Sequence, residues 1–184
     1  MKTVGDTLTP FRVMGVKPGF VEPERAGESA FEAITEASFA GKWKIIYFFP
    51  KVATYVCPTE IVAYDKLMGE FSDRDAVLMG GSTDNEFTHV AWRQHHDDLN
   101  KTRHWSFADT RRDELSLANQ LGILNEDGVA LRATFIVDPN NVIQHVTVNN
   151  LNVGRNSMEA VRVLDAIQSD SLCPCNRRPG GETL

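Results

Sequence analysis

The stretch Trp43-Lys44-Ile45-Ile46-Tyr47-Phe48-Phe49, followed at once by Pro50-Lys51-Val52-Ala53-Thr54-Tyr55-Val56-Cys57-Pro58-Thr59-Glu60, decides how the chain is read. Its first seven residues are almost continuously apolar after Lys44, the pattern of a central strand covered on both faces. From Pro58 to Phe71 the residues Ile61, Tyr64, Leu67/Met68 and Phe71 recur at helical spacing. Proline suits the first helical position. A strand running into a helix puts its connecting loop at the carboxyl edge of an α/β sheet, where such sheets gather their chemistry. Cys57 stands in that junction.

Outward from this unit, strands are expected at Phe11–Val16, Ala76–Ser82, Ala133–Val137 and Val142–Val148, the last two joined by the turn Asp138-Pro139-Asn140-Asn141. Helices are expected at Phe87–His95, at Arg112–Gln120 with Gly122 as its stop, and at Asn156–Gln168 behind an Asn cap. Residues 17–30 read as a long irregular connection. Alternating strands and helices with one hairpin give an α/β fold, a mixed sheet flanked by helices. We expect one domain over residues 1–168 and a mobile tail over 169–184, which holds two cysteines, two prolines and two adjacent glycines.

Composition narrows the function class. In 184 residues, Lys+Arg number 19 and Asp+Glu 25, a formal net charge of −6, so no basic footprint for nucleic acid is present. No apolar run approaches the roughly 20 residues of a membrane helix. Met1-Lys2-Thr3-Val4-Gly5-Asp6 opens no signal peptide, which makes the cytoplasm, where thiols stay reduced, the expected compartment. Three cysteines are an odd count and too few for a disulfide scaffold. Their chemistry is therefore the question. A free thiol is only about 3% thiolate at pH 7, and helix N-termini and nearby cations increase that share. Cys57 at a helix start is thus a candidate nucleophile, with a buried inert cysteine as the plain alternative.

Spacing breaks the tie. Pro50, Thr54 and Cys57 form Pro-x-x-x-Thr-x-x-Cys, which resembles the active-site motif of the peroxiredoxins, and Val56-Cys57-Pro58-Thr59-Glu60 resembles their two-cysteine branch. Downstream, Arg132 precedes Ala133-Thr134-Phe135-Ile136-Val137-Asp138-Pro139 as an arginine does in that family. Leu172-Cys173-Pro174-Cys175-Asn176 looks like its resolving-cysteine motif. The Cys-x-Cys pair is similar to that of mycobacterial-type alkyl hydroperoxide reductase C subunits, as are Phe71-Ser72-Asp73-Arg74-Asp75-Ala76 and Gly154-Arg155-Asn156.

The resemblance covers about Lys42 to Asn176 and implies a thioredoxin-like fold with a redox tail. It implies a peroxidase that reduces hydrogen peroxide and organic hydroperoxides through a sulfenic acid at Cys57 and then a disulfide with Cys173, with Cys175 as a second tail thiol. Thr54 would set a hydroxyl near the sulfur, Pro50 would shield it, and Arg132 would stabilise developing charge. Glu60 and Arg155 would stand behind them. Partners implied are a protein disulfide reductant, either thioredoxin or an adaptor of the alkyl hydroperoxidase D type, and further copies of the chain, as a homodimer assembling into a ring. No motif calls for a metal, flavin or haem. Cys-x-Cys is half a zinc site, without partner ligands at recognisable spacing. His95-His96-Asp97-Asp98 places adjacent side chains about 100° apart on a helix, poor geometry for one ion.

A thioredoxin-like disulfide reductase would carry Cys-x-x-Cys, but position 60 is glutamate. A redox relay or a holdase chaperone is the remaining alternative. The chain departs from the family at Val52-Ala53, where relatives usually have aspartate and phenylalanine. It also lacks the Gly-Gly-Leu-Gly pattern of oxidation-sensitive members around Asn125-Glu126-Asp127-Gly128.

Overall fold

The computed structural model describes residues 1–184. In chain order its strands are β1 (Arg12–Val16), β2 (Glu24–Arg25), β3 (Glu28–Ser29), β4 (Phe31–Thr35), β5 (Trp43–Phe48), β6 (Ala76–Ser82), β7 (Trp105–Ala108), β8 (Arg132–Val137) and β9 (Ile143–Asn149). The helices are α1 (Cys57–Lys66), α2 (Met68–Ser72), α3 (Glu86–His95), α4 (Leu117–Leu121) and α5 (Ser157–Gln168). Seven strands form one sheet in the order β4-β1-β7-β6-β5-β8-β9, and β2 and β3 make a separate small hairpin. The central β5 runs parallel to β6 and antiparallel to β8.

Strand β5 divides two cores by its own alternation, since successive side chains point to opposite faces. Ile45 and Tyr47 join Phe49, Ile61, Tyr64, Phe71 and Leu164 on the side of α1, α2 and α5. Ile46 and Phe48 join Phe107, Leu117, Leu121 and Phe135 on the other. Every one of these except Ile61 is at most 1% exposed. Burial of each such side chain stabilises by about 1.5–3 kcal/mol, so the sheet's centre is its most rigid part. The junction that follows Phe48 is held on that centre.

Several expectations need correction. The single helix over Pro58–Phe71 is two helices, broken at Leu67, whose backbone (φ −95°, ψ 9°) leaves helical values one residue before Met68. The helix over Arg112–Gln120 shrinks to Leu117–Leu121. Arg111 pairs with Asp113, and Asp113 accepts the Leu115 N–H in a local turn. Ser116 caps Asn119 and Asp109 takes the Ala118 N–H, so helical bonding starts only there. Gly122 does end it, in the left-handed conformation with φ 68°. Strands β4 and β7 and the β2–β3 hairpin fall where a connection or nothing was expected.

Residues 169–184 contain no helix or strand, and they fold back on the domain. Arg177 Nη1 donates to Asp165 Oδ2 (2.6 Å), the Gly180 N–H donates to the same oxygen, and the Leu184 N–H reaches Leu172 O. A partly buried ion pair with Asp165 on α5 holds them there, a contact that composition alone does not reveal.

Candidate active site

Helix α1 begins at Cys57 itself, with Pro58 in its first turn and no side-chain cap on its free N–H groups. The thiol is fully buried. From β8, Arg132 reaches it with Nη1 at 3.3 Å from Sγ. The same Nη1 donates to Glu60 Oε2 (2.7 Å), and Arg132 Nε donates to Leu151 O (2.6 Å). Glu60 lies three residues beyond Cys57, on the next turn of the same helix face. Arg155, just ahead of α5, donates to Glu60 Oε1 from N (2.9 Å) and Nε (2.8 Å) and to Oε2 from Nη2 (2.8 Å). Its Nη1 donates to Ala133 O (2.7 Å). One carboxylate thus bridges two arginines, one of which touches the sulfur.

The electrostatics follow from this pairing. Burial works against the Glu60 charge, but the hydrogen bonds and charge of Arg155, with Arg132 behind them, hold its carboxyl below the usual range. Burial likewise works against the Arg155 charge, and Glu60 more than offsets it, raising that guanidinium above its ordinary value. Arg132 and Arg155 have side chains only 4% and 2% exposed, so the site concentrates positive charge in a dry environment beside the thiol. Such an arrangement stabilises negative charge that develops on an oxygen beside the sulfur.

A pocket of about 230 Å³ brings Pro50, Thr54 and Arg132 together with Lys51, Val129 and Leu151. Pro50 is buried, and Thr54 is half-buried with its hydroxyl donating to Lys51 O (3.0 Å) rather than to the sulfur. Ala53 takes the left-handed conformation (φ 57°), and the Val52 N–H is anchored on Asp84 Oδ2 (2.8 Å). The tail thiols stand apart from this pocket. Cys173 is half-buried at the end of α5, with Sγ 3.4 Å from Ser169 Oγ and 3.6 Å from Ala166 O, and Cys175 is exposed. All three cysteines are free thiols.

Sequence reasoning missed Asp84, whose carboxylate also accepts from Ser82 Oγ (2.8 Å), and the aromatic pair Tyr47 and Tyr64 behind Arg155. For Tyr64 a signal existed: it lies four residues after Glu60 on one helix face. Phe48 belongs to the core on the other side of the sheet, and Trp92 packs at a tilt against Phe49 and edge-on against His96.

The AhpC/TSA family model matches residues 14–146. The chain is 47% identical over 184 residues to alkyl hydroperoxide reductase C of Mycolicibacterium smegmatis, covering 99% of this chain and 93% of that protein. It is 38% identical over 165 residues to peroxiredoxin TSA1-B of Candida albicans, covering 85% and 83%. Among solved structures, Mycobacterium tuberculosis AhpC superposes with a TM-score of 0.86 at 45% identity, covering 96% of this chain and 98% of that one. A reduced 2-Cys peroxiredoxin of Plasmodium vivax superposes at 0.85 with 31% identity, covering 100% and 93%.

Proposed function

The chain belongs to the AhpC/TSA family and is a thiol-dependent peroxidase of thioredoxin-like fold, and from that premise we propose how its own residues carry the reaction. The Cys57 thiolate attacks the terminal oxygen of a hydroperoxide. The S–O bond forms as the O–O bond breaks, the leaving alkoxide or hydroxide takes a proton, and Cys57 becomes a sulfenic acid. Arg132 stabilises both the thiolate and the charge that moves onto the departing oxygen, while Thr54 and Pro50 border the approach. Glu60 and Arg155 hold Arg132 in place. The observation that carries this reading is the 3.3 Å contact between Arg132 Nη1 and Cys57 Sγ.

The sulfenic acid then condenses with Cys173, forming the S–S bond and releasing water. Cys175 takes over the disulfide by exchange and presents it to a protein dithiol, an adaptor of the alkyl hydroperoxidase D type or thioredoxin, which supplies two electrons. We place the peroxidase domain at residues 1–168 and the redox tail at 169–184, in a cytoplasmic homodimer that assembles into a ring. An edge strand supports self-association, because β9 ends the sheet and, beyond Ile143, whose N–H and C=O pair with Asp6 and Gly5, no further strand pairs with it within the chain. No helix is long and apolar enough to cross a membrane.

Rapid-mixing peroxide consumption tests the assignment. Cys57→Ser is expected to abolish turnover, and undiminished consumption would refute the site. Cys173→Ser is expected to lose the normal disulfide to Cys57. Peptide mapping that finds Cys57 bonded only to Cys175 in the oxidised wild-type protein would reverse the two tail roles.

A further inference from the structure

Tyr47 makes no hydrogen bond to the reacting sulfur, yet it is fixed from three directions. Its hydroxyl lies 2.7 Å from His104 Nε2, and His104 Nδ1 lies 2.9 Å from Asp65 Oδ1. Burial pushes the His104 ring down in pKa and keeps it neutral. Nδ1–H then donates to the carboxylate, Nε2 accepts, and the Tyr47 O–H is the donor. Opposite it across the parallel β5–β6 pair stands Gly80, where a Cβ would come within 2.1 Å of the Tyr47 ring, so the ring lies directly on bare backbone. On its remaining side Tyr64 stacks at 4.2 Å with an interplanar angle of 12°, and the Tyr64 hydroxyl shares a hydrogen with Thr134 Oγ1 (2.9 Å).

A cation packs against this stacked pair. Arg155 Cζ is 5.4 Å from the Tyr47 centroid and 5.9 Å from that of Tyr64, within the range of a cation–π contact, and strongly desolvated pairs of this kind are the stronger ones. Arg93 and Glu60 are the other charged groups felt by Tyr47. Arg155 in turn grips Glu60, and Glu60 grips Arg132. We propose that Tyr47 is a positioning residue for the peroxide reaction: its ring, pinned by His104 and Gly80, sets the plane of Arg155 and thereby the Arg132 donor at Cys57. The proposal rests on the reading of Cys57 and Arg132 given above. It assigns the buried Asp65–His104–Tyr47 chain the job of holding that ring still. Misplacement of a catalytic donor by about 1 Å costs up to about a hundredfold in rate, so a wobbling platform has a measurable consequence.

The test compares two second-order rate constants at Cys57, oxidation by hydrogen peroxide and alkylation by iodoacetamide, in the full-length wild type, Tyr47→Leu and Tyr47→Phe. Peroxide oxidation needs the donor in register with the breaking O–O bond, whereas alkylation needs only an accessible thiolate. Tyr47→Leu is expected to slow oxidation on the order of tenfold and alkylation by less than about threefold. Tyr47→Phe, which keeps the ring but loses the bond to His104, is expected to fall between wild type and Tyr47→Leu, about threefold below wild type. Wild-type oxidation in Tyr47→Leu, an equal fall of both rates, or oxidation in Tyr47→Phe as slow as in Tyr47→Leu would each overturn the proposal. Should Tyr47→Leu not fold, Tyr47→Met carries the same expectations, since it fills the space without a ring. Cys57→Ser separates the two readings. Peroxide consumption by that variant would refute the active site itself, whereas a silent Cys57→Ser beside a wild-type Tyr47→Leu would refute the platform alone.

Discussion

At Glu60 one buried carboxylate accepts four N–H donors, three from Arg155 and one from Arg132. Taken singly, each buried charge would be costly, and removing one member of such a cluster strands the rest. Glu60→Gln replaces an acceptor with an amide NH2 that faces guanidinium donors, leaving two buried arginines without a counter-charge. Urea unfolding at pH 7 is expected to show a loss of about 3 kcal/mol, and peroxide oxidation of Cys57 a slowing of about tenfold. The pH dependence has a definite sign. Because the Glu60 carboxyl is held below its ordinary value of 4.5, its contribution is fully present above that pH and fades as pH falls through the lowered value. The Gln variant is expected to lose that part of the acid slope, and an unchanged slope with unchanged stability would show that the bridge contributes nothing.

At the scale of elements, the junction of β5 with α1 was legible because its two halves carry opposite periodicities. A continuous apolar run stops at Phe49, and helical spacing starts after Cys57. The short α4 was not legible, since its start depends on Asp109 and Ser116 capturing backbone N–H groups across a turn. Strand β7 has only four residues, too few for a period to declare itself. Glu60 and Arg155 were identified as a pair of supporting residues, but their joint grip on Arg132 needed the approach of β8 and the α5 start to one helix face. The glycine pair Gly80-Gly81 has a packing reason: Cβ atoms there would come within 2.1 Å of the Tyr47 ring and 2.3 Å of the Phe107 ring. Gly80→Ala is accordingly expected to destabilise by about 1–3 kcal/mol through overpacking. Gly69→Ala in α2, where nothing lies within 4 Å, is expected to be neutral or to gain up to about 1 kcal/mol. Thermal melts of the two variants decide the matter, and equal effects would contradict it.

Across the whole molecule, the proposed path requires two sulfurs to meet that are both held elsewhere in the reduced chain. Cys57 is buried at the first residue of α1, and Cys173 rests against the last turn of α5. What holds the tail there is Asp165, which accepts from Arg74 Nη2 (3.0 Å) on one side and from Arg177 Nη1 (2.6 Å) and the Gly180 N–H (3.0 Å) on the other. The Arg177 side chain is only 6% exposed, so this is a protected ion pair rather than a surface one. Hydrogen bonds to charged groups contribute roughly 1.5–3 kcal/mol, enough to change an opening equilibrium by tenfold or more. A sulfenic acid at Cys57 either condenses with the arriving thiol or is oxidised again to sulfinic acid, and the slower the tail leaves its dock, the more the second branch gains. Arg177→Gln weakens the dock without touching the Arg132–Glu60–Arg155 cluster. It is expected to leave the first oxidation of Cys57 unchanged, to speed disulfide formation by several-fold up to about tenfold, and to lower the sulfinic acid found at Cys57 under excess peroxide. Rapid acid quench with mass spectrometry of the Cys57 peptide reads all three. Slower disulfide formation in this variant would mean that the docked tail is the conformation that delivers Cys173, and that Arg177 guides the thiol instead of restraining it.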